Sequence, residues 1–459
     1  MQSYISRNSK RIFYGIAFIL FVLSFYLNLF KIAPDLKYTE YETFEEALVL
    51  GRMAKAEKDG FFAASGFTGV NHSRPDSIIS EEQVNDLTLR DYVISETQFD
   101  QKKYYIGEEK TPNGYCVYVS HSGGQASLYY LIQKILPFSK ETCYQILRLL
   151  NAVLMAISFL VFIGWILRNV GFIAAVISFV LIFLSPWIVL FGGNGLWWSL
   201  WNFYVPFLTM LLLLEEKYSL HKDVSDRKIY AMLFLALTIK FFFSGLEFIS
   251  TVILSIFIPI IYYAYLERWQ FLKFMKHSLK ATMVALGALV LQFIVLALQL
   301  WNLLRNPTAA IRYIESAFTR RSSFGEFASA SGATEDTDSF LFTWNNVIKF
   351  YLRENSTDWG FSPIFIRIRF IYLFLIIIAC AAIIYLLTKQ LQDRKYKALI
   401  LSVFISVICP LSWYIIFKEH AFWHVQLDVI VWYMPFLLLG FTLIATTLSL
   451  LITKVLKSK

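Results

Sequence analysis

Long apolar runs alternate with short polar breaks along this chain, and most of the runs are long enough to cross a bilayer. They fall at about 12–30, 144–167, 171–191, 197–214, 229–244, 247–266, 281–303, 366–388, 397–417 and 427–453. A hydrocarbon layer about 30 Å thick needs about 20 apolar residues in a helix, so the pattern predicts about ten transmembrane helices. Two long polar stretches fall at about 31–140 and 304–364, and the first is far longer than an ordinary connection and reads as a candidate functional element. From Phe44 to Met53 the apolar positions Phe44, Ala47, Leu48, Leu50 and Met53 recur at helical spacing. That spacing predicts an amphipathic helix lying on the membrane surface just after the first span.

Composition agrees with the pattern. Of 459 residues, 57% are hydrophobic and 16% charged, with a mean hydropathy of +0.55. The expectation is an all-α polytopic membrane protein forming a single integral unit over 1–459, with no internal repeat. The net charge of +9 is not gathered on one soluble module, which argues against a nucleic-acid partner. Arg7, Lys10 and Arg11 precede the first run. Arg168, the group Lys217, Lys222, Arg227 and Lys228, and the group Arg268, Lys273, Lys276 and Lys280 fall in alternate breaks. So do Lys389, Arg394, Lys395 and Lys397, and then Lys454, Lys457 and Lys459. By the positive-inside rule both termini are cytoplasmic and the two long polar stretches lie outside. The first run has no small-residue cleavage site and reads as a retained span. Cys380 and Cys409 read as apolar packing residues; Cys116 and Cys143 share one side, but nothing in their spacing demands a disulfide. The small, acidic stretch Ser329–Asp338 reads as a mobile part of the second outer loop.

The candidate chemistry lies on the outer side. Glu40, Glu42, Glu45 and Glu46 place four carboxylates within seven residues next to the first span, where a proton acceptor at the membrane boundary would serve an incoming hydroxyl. Solvated acids near a helix N-terminus are the competing reading, and the stronger one for Glu45 and Glu46. Lys240 and Glu247, seven apart, suit either a buried ion pair or substrate contacts, with Ser244-Gly245 marking a turn between them. His420, His424 and Asp428 are each four apart and would form one polar row on a helix. Lys418 offers a point charge for phosphate, and Arg320, Arg321 and Arg369 oppose the positive-inside rule and want an anionic partner. Gln125 ends a small-residue turn, Tyr118–Gln125, and Trp197 belongs to a tryptophan group suited to the membrane interface or to sugar stacking.

Taken together, Glu42 ten and eleven residues before Arg52-Met53, Tyr118-x-Ser120-x-x-Gly123-x-Gln125, Asn194-x-x-Trp197 and Lys418-x-His420 with His424 resemble the GT-C superfamily of glycosyltransferases. The nearest likeness is to bacterial members that decorate surface polysaccharide or teichoic acid. Glu stands here where some members carry an Asp-Glu pair. The resemblance implies inverting transfer of a sugar from a polyprenyl-phosphate donor, made by an upstream synthase, to a glycan or lipid-linked acceptor. Glu42 or Glu40 would be the base. Lys418, Arg320, Arg321 and Arg369 would hold the departing phosphate, and His420, His424, Asp428, Glu247, Lys240, Gln125 and Trp197 would bind substrate. Some members use a divalent cation. The implied location is the cell membrane, in contact with its lipids, with the site on the extracytoplasmic face. A polysaccharide polymerase or ligase and a polytopic transporter are the competing classes; the absence of repeats counts against a transporter.

Overall fold

The computed structural model describes residues 7–73, 87–119, 121–322, 340–353, 355–361, 364–388, 393–424 and 428–457. Within these, the side chains of 35–45, 87–91, 320, 340–346, 355–361, 364–367, 388, 422–423 and 456–457 are outside the description. Ser329–Asp338 lies outside the described residues altogether.

The chain is a helical multi-pass membrane protein. Among the described residues, seven helical segments are long and apolar enough to cross a bilayer: Arg7–Leu27, Lys140–Asn169, Ile249–Leu266, Phe271–Leu304, Phe370–Leu387, Arg394–Ile416 and Phe436–Val455. An eighth is the bent pair Phe172–Phe183 and Pro186–Gly193, which turns by 65°. Pro186 begins the second half of that pair, and Ser185 before it is extended, as a residue preceding proline prefers. The apolar runs at 197–214 and 229–244 are also helices, Trp201–Leu214 and Asp226–Ser244, packed side by side. The first is short at 14 residues, and the second carries Asp226, Arg227, Lys228 and Lys240.

In chain order the helices are α1 (Arg7–Leu27), α2 (Asp35–Asp59), α3 (Leu87–Thr97), α4 (Asp100–Ile106), α5 (Gly124–Ile135), α6 (Lys140–Asn169), α7 (Phe172–Phe183), α8 (Pro186–Gly193), α9 (Trp201–Leu214) and α10 (Asp226–Ser244). They continue as α11 (Ile249–Ser255), α12 (Phe257–Leu266), α13 (Phe271–Leu304), α14 (Pro307–Arg321), α15 (Phe340–Arg353), α16 (Phe370–Thr388), α17 (Arg394–Ser406), α18 (Ile408–Ile416), α19 (Lys418–Trp423) and α20 (Phe436–Lys457). Side-chain caps open several of them: Ser139 for α6, Ser225 for α10, Asn306 ahead of Pro307 for α14 and Asp393 for α17. The aromatic core where α1, α6 and α7 meet is built from Phe21, Phe25, Phe159, Phe179 and Phe183. Polar links tie helices where apolar packing alone would not fix their register. Arg168 grips the buried Glu215 through Nε (2.9 Å) and Nη2 (2.6 Å), and Asn169 adds a third bond at 2.6 Å.

The first long polar stretch folds into a small module rather than a loop. Strands β1 (Thr68–His72) and β2 (Gly114–Tyr118) pair antiparallel, Val70 opposite Cys116. Gln101 on α4 brackets Asn71 of β1 through both amide atoms, at 2.8 and 2.9 Å. Gly51 of α2 lies against the Gly69 backbone so closely that any side chain would overlap it. The surface-helix expectation is therefore corrected. Helix α2 runs well beyond Phe44–Met53 at both ends, and every residue from Glu46 to Ala54 is buried, because β1, α4, α5 and α8 close over it. A second hairpin, β3 (Asn355–Phe361) with β4 (Ile364–Arg369), occupies the start of the predicted 366–388 span, so the helix there begins at Phe370. These hairpins qualify the all-α expectation within the polar stretches and at the edge of the predicted 366–388 span. All four cysteines are free thiols.

Candidate functional site

Three breaks in regular structure converge. The first is the turn 121–125 that opens α5. Gly123 has φ +70°, and a side chain there would overlap the Gly66 carbonyl, which is why the turn needs glycine. Ser122 Oγ donates to the Phe242 carbonyl of α10 at 3.0 Å, and Gln299 Nε2 of α13 donates to the Ser122 carbonyl at 2.9 Å. The turn thereby fixes His121, which stacks on Trp197 with centroids 4.5 Å apart. Tyr118 meets the same tryptophan edge-on at 5.5 Å.

The second break separates α10 from α11, where Gly245 and Phe248 adopt positive φ. Breaking a helix in apolar surroundings frees carbonyls that must be satisfied from within the protein. Buried Lys240 does this: its ammonium donates to the carbonyls of Gly245 (2.9 Å) and Glu247. The expected alternative of a Lys240–Glu247 side-chain pair is thus replaced by a main-chain contact, because the chain turns between them. Glu247 points its carboxylate elsewhere. Oε1 lies 3.5 Å from His121 Nε2 and Oε2 lies 3.7 Å from His420 Nε2.

The third break follows α18. The short helix α19 ends at His424, so the single polar row expected of His420, His424 and Asp428 does not extend along one helix. The chain folds back instead. Asp428 Oδ2 faces His420 Nδ1 at 3.2 Å and accepts from Trp413 Nε1 at 2.6 Å, while Tyr414 Oη donates to the Asp428 carbonyl at 3.1 Å. The rings of His420 and His424 sit 4.5 Å apart.

The result is a chain of groups, Asp428–His420–Glu247–His121, walled by Trp197 and Trp413. Its two histidines differ electrically. Burial lowers the His121 pKa below the ordinary imidazole range, and Glu247 only partly offsets this. Burial acts on His420 the same way, but Asp428 and Glu247 outweigh it and raise the pKa. His424 is lowered, by burial and then by the neighbouring His420. Arg321 lies within electrostatic reach of all three histidines and of Glu247. Several buried polar atoms here have no hydrogen-bond partner among the described residues: His121 Nδ1, Asp428 Oδ1, and both Nε2 and Oε1 of Gln125. Buried polar groups in native folds are nearly always paired, so this set suits a polar ligand.

Comparison with known protein families, curated proteins and solved structures finds no match to this chain.

The other sequence candidates distribute as follows. Lys418 is buried and paired with the adjacent Glu419 at 3.3 Å. Arg369 ends β4 and is exposed. The side chains of Glu40, Glu42 and Arg320 lie outside the described residues; the backbone places both glutamates in the first turns of α2. Glu46, assigned by sequence to a solvated face, is instead buried. It accepts from Tyr144 Oη at 2.9 Å and lies 3.4 Å from the Leu196 amide, next to Trp197. His121 carried no role in the sequence reading; its only signal was an imidazole set among Ser122, Gly123 and Gly124 just before a helix. Among the described residues no three His, Cys, Asp or Glu side chains are arranged to hold a metal ion.

Proposed function

We propose that this chain is a GT-C-type glycosyltransferase that moves a sugar from a polyprenyl-phosphate donor to a hydroxyl of a glycan or lipid-linked acceptor. In this reading α9 and α10 complete ten crossings, both termini are cytoplasmic, and the site opens on the extracytoplasmic face of the cell membrane. The observation that supports it best is Glu247 between buried His121, biased neutral, and half-buried His420, biased cationic. Environments that push two titratable groups apart assign acid and base roles.

The chemistry follows from those roles. Glu247 accepts from His121 Nε2–H, which leaves a lone pair on Nδ1. That nitrogen takes the acceptor hydroxyl proton while the oxygen attacks the anomeric carbon from the face opposite the phosphate. The bond from the anomeric carbon to the phosphate oxygen breaks with inversion, and both electrons leave with the phosphate. His420, held cationic by Asp428, and Arg321 meet the developing charge. Trp197, Gln125 and Asp428 Oδ1 serve the sugar face and hydroxyls. Glu42 and Glu40 are the rival bases implied by the family resemblance.

Transfer of radiolabelled sugar from a purified polyprenyl-phosphate donor tests this. His121→Gln and Glu247→Gln are expected to lower turnover by about 10²–10⁴-fold, the usual loss for a general base, while Glu42→Gln and Glu40→Gln leave it near wild type. The reverse pattern moves the base to α2. Full activity in all four variants removes the mechanism. A second reading is favoured by the broken α10–α11 helix with a carboxylate at the break, a layout that also suits transport; binding of the donor without turnover would select it.

A further inference from the structure

At the opposite end of α10, about 27 Å away at 1.5 Å per residue, lies a second polar cluster with a different character. Asp226 is shared by two ammonium groups, Lys217 Nζ at 2.6 Å and Lys280 Nζ at 2.8 Å. A third, Lys273 Nζ, sits over the rings of Tyr218 (4.7 Å) and Trp269 (4.6 Å) and has no ion pair among the described residues. Glu215 and Glu216 are engaged elsewhere, with Arg168 and Lys222, while Glu267 lies within electrostatic reach of Lys273. Three ammonium groups therefore face two carboxylates, Asp226 and Glu267, an excess of one positive charge.

The floor beneath them is aromatic. His277 packs on Trp269 at 4.6 Å, and its Nδ1 and Nε2 are met by the hydroxyls of Tyr230 (2.6 Å) and Tyr218 (3.4 Å). Trp269 Nε1 is buried and has no hydrogen-bond partner among the described residues. Beside this floor the first turns of α13 present Phe271, Leu272, Met275 and Leu279 to the surroundings, 45–79% exposed. A multi-oxygen anion with apolar chains fits such a place. Its oxygens bridge the lysines and the indole N–H, and its tails follow the apolar shoulder.

We infer that Lys217, Lys273, Lys280 and Trp269 form a binding site for the phosphate of an anionic lipid headgroup, separate from the histidine–carboxylate site. Native mass spectrometry of the full protein from nanodiscs tests it, comparing phosphatidylglycerol with phosphatidylcholine. The wild type is expected to retain phosphatidylglycerol selectively. Lys273→Ala is expected to weaken that retention about fivefold, the usual effect of one basic residue near an anionic headgroup, and Lys273→Arg to restore most of it. Thermal unfolding in phosphatidylcholine alone, unchanged in Lys273→Ala, shows that the variant folds. Displacement of the lipid by inorganic phosphate identifies phosphate as the recognised group, and phosphate binding without lipid retention assigns the same site to a soluble phosphate. Equal retention of both lipids by the wild type, with no competition from phosphate, overturns the inference, as does retention indifferent to Lys273.

Discussion

Replacing Asp428 with asparagine separates the electrical role of this carboxylate from its packing. Asp428 is fully buried, with Oδ2 accepting from Trp413 Nε1 and facing His420 Nδ1. The amide has nearly the same volume and keeps an oxygen for the indole, so no cavity forms; only the charge goes. A hydrogen bond to a charged group contributes about 1.5–3 kcal/mol. Losing the contact to His420 and weakening the one to Trp413 should cost about 2–4 kcal/mol. The pH dependence is the sharper signature. For His420, burial favours the neutral ring but Asp428 and Glu247 overcome it, so its folded pKa lies above its unfolded value. Such a group adds stability that is fully present below the unfolded pKa, near 6.5, and is lost as pH rises through the folded pKa. His121 runs oppositely: its folded pKa is lowered, so its contribution falls as pH drops below about 6.5. Thermal unfolding in detergent, followed by tryptophan fluorescence from about pH 5 to pH 9, reads both. The wild type should lose stability above neutrality, and Asp428→Asn should flatten that limb. A constant offset between the two proteins at every pH would refute the assignment of His420 as the cationic member.

Three further outcomes follow from the packing. Gly124→Ala places a methyl group inside the Phe242 ring and against its carbonyl. It should cost about 1–3 kcal/mol and lower sugar transfer by displacing the His121 turn, measured by melting and turnover together. Arg168→Ala strands the buried Glu215, and with Arg168 itself 41% exposed the cost should be about 2 kcal/mol, below the 3–5 kcal/mol of a fully buried pair; pairing it with Glu215→Gln should recover most of that in the same melting assay. Single cysteines at Lys103 and Lys222, whose side chains are 46% and 56% exposed, should react from opposite sides of the membrane with an impermeant maleimide, Lys103→Cys from outside. Labelling from one side for both would overturn the proposed orientation.

The membrane-crossing segments were legible because uninterrupted apolar runs have few alternatives. Their ends were less so. Helix α13 starts at Phe271, ten residues ahead of the predicted 281, since Phe271, Leu272, Phe274 and Met275 are interleaved with Lys273 and Lys276. Helix α2 shows the limit of periodicity: the helical spacing was right, but a pattern cannot tell a face turned to water from one covered by β1 and α4, so buried Glu46 passed as a surface residue. In the candidate site Glu247, His420 and Asp428 stood out as polar groups at apolar boundaries. His121 did not, because its partner Glu247 is 126 positions away along the chain and only the fold brings them together. Lys240 and Glu247 were linked by spacing, yet a break of two positive-φ residues redirected the lysine to carbonyls.

The kink before Pro186 also bears on how the protein is made. Neither half of the α7–α8 pair is long enough to rest alone in lipid, and all residues from Ser185 to Leu200 are enclosed by protein. Part of that enclosure is the segment Val429–Tyr433, which packs on α8. Synthesis therefore delivers part of the wall of this chamber long after α8 itself, and the earlier helices must wait, unfinished, in the membrane until that later segment emerges.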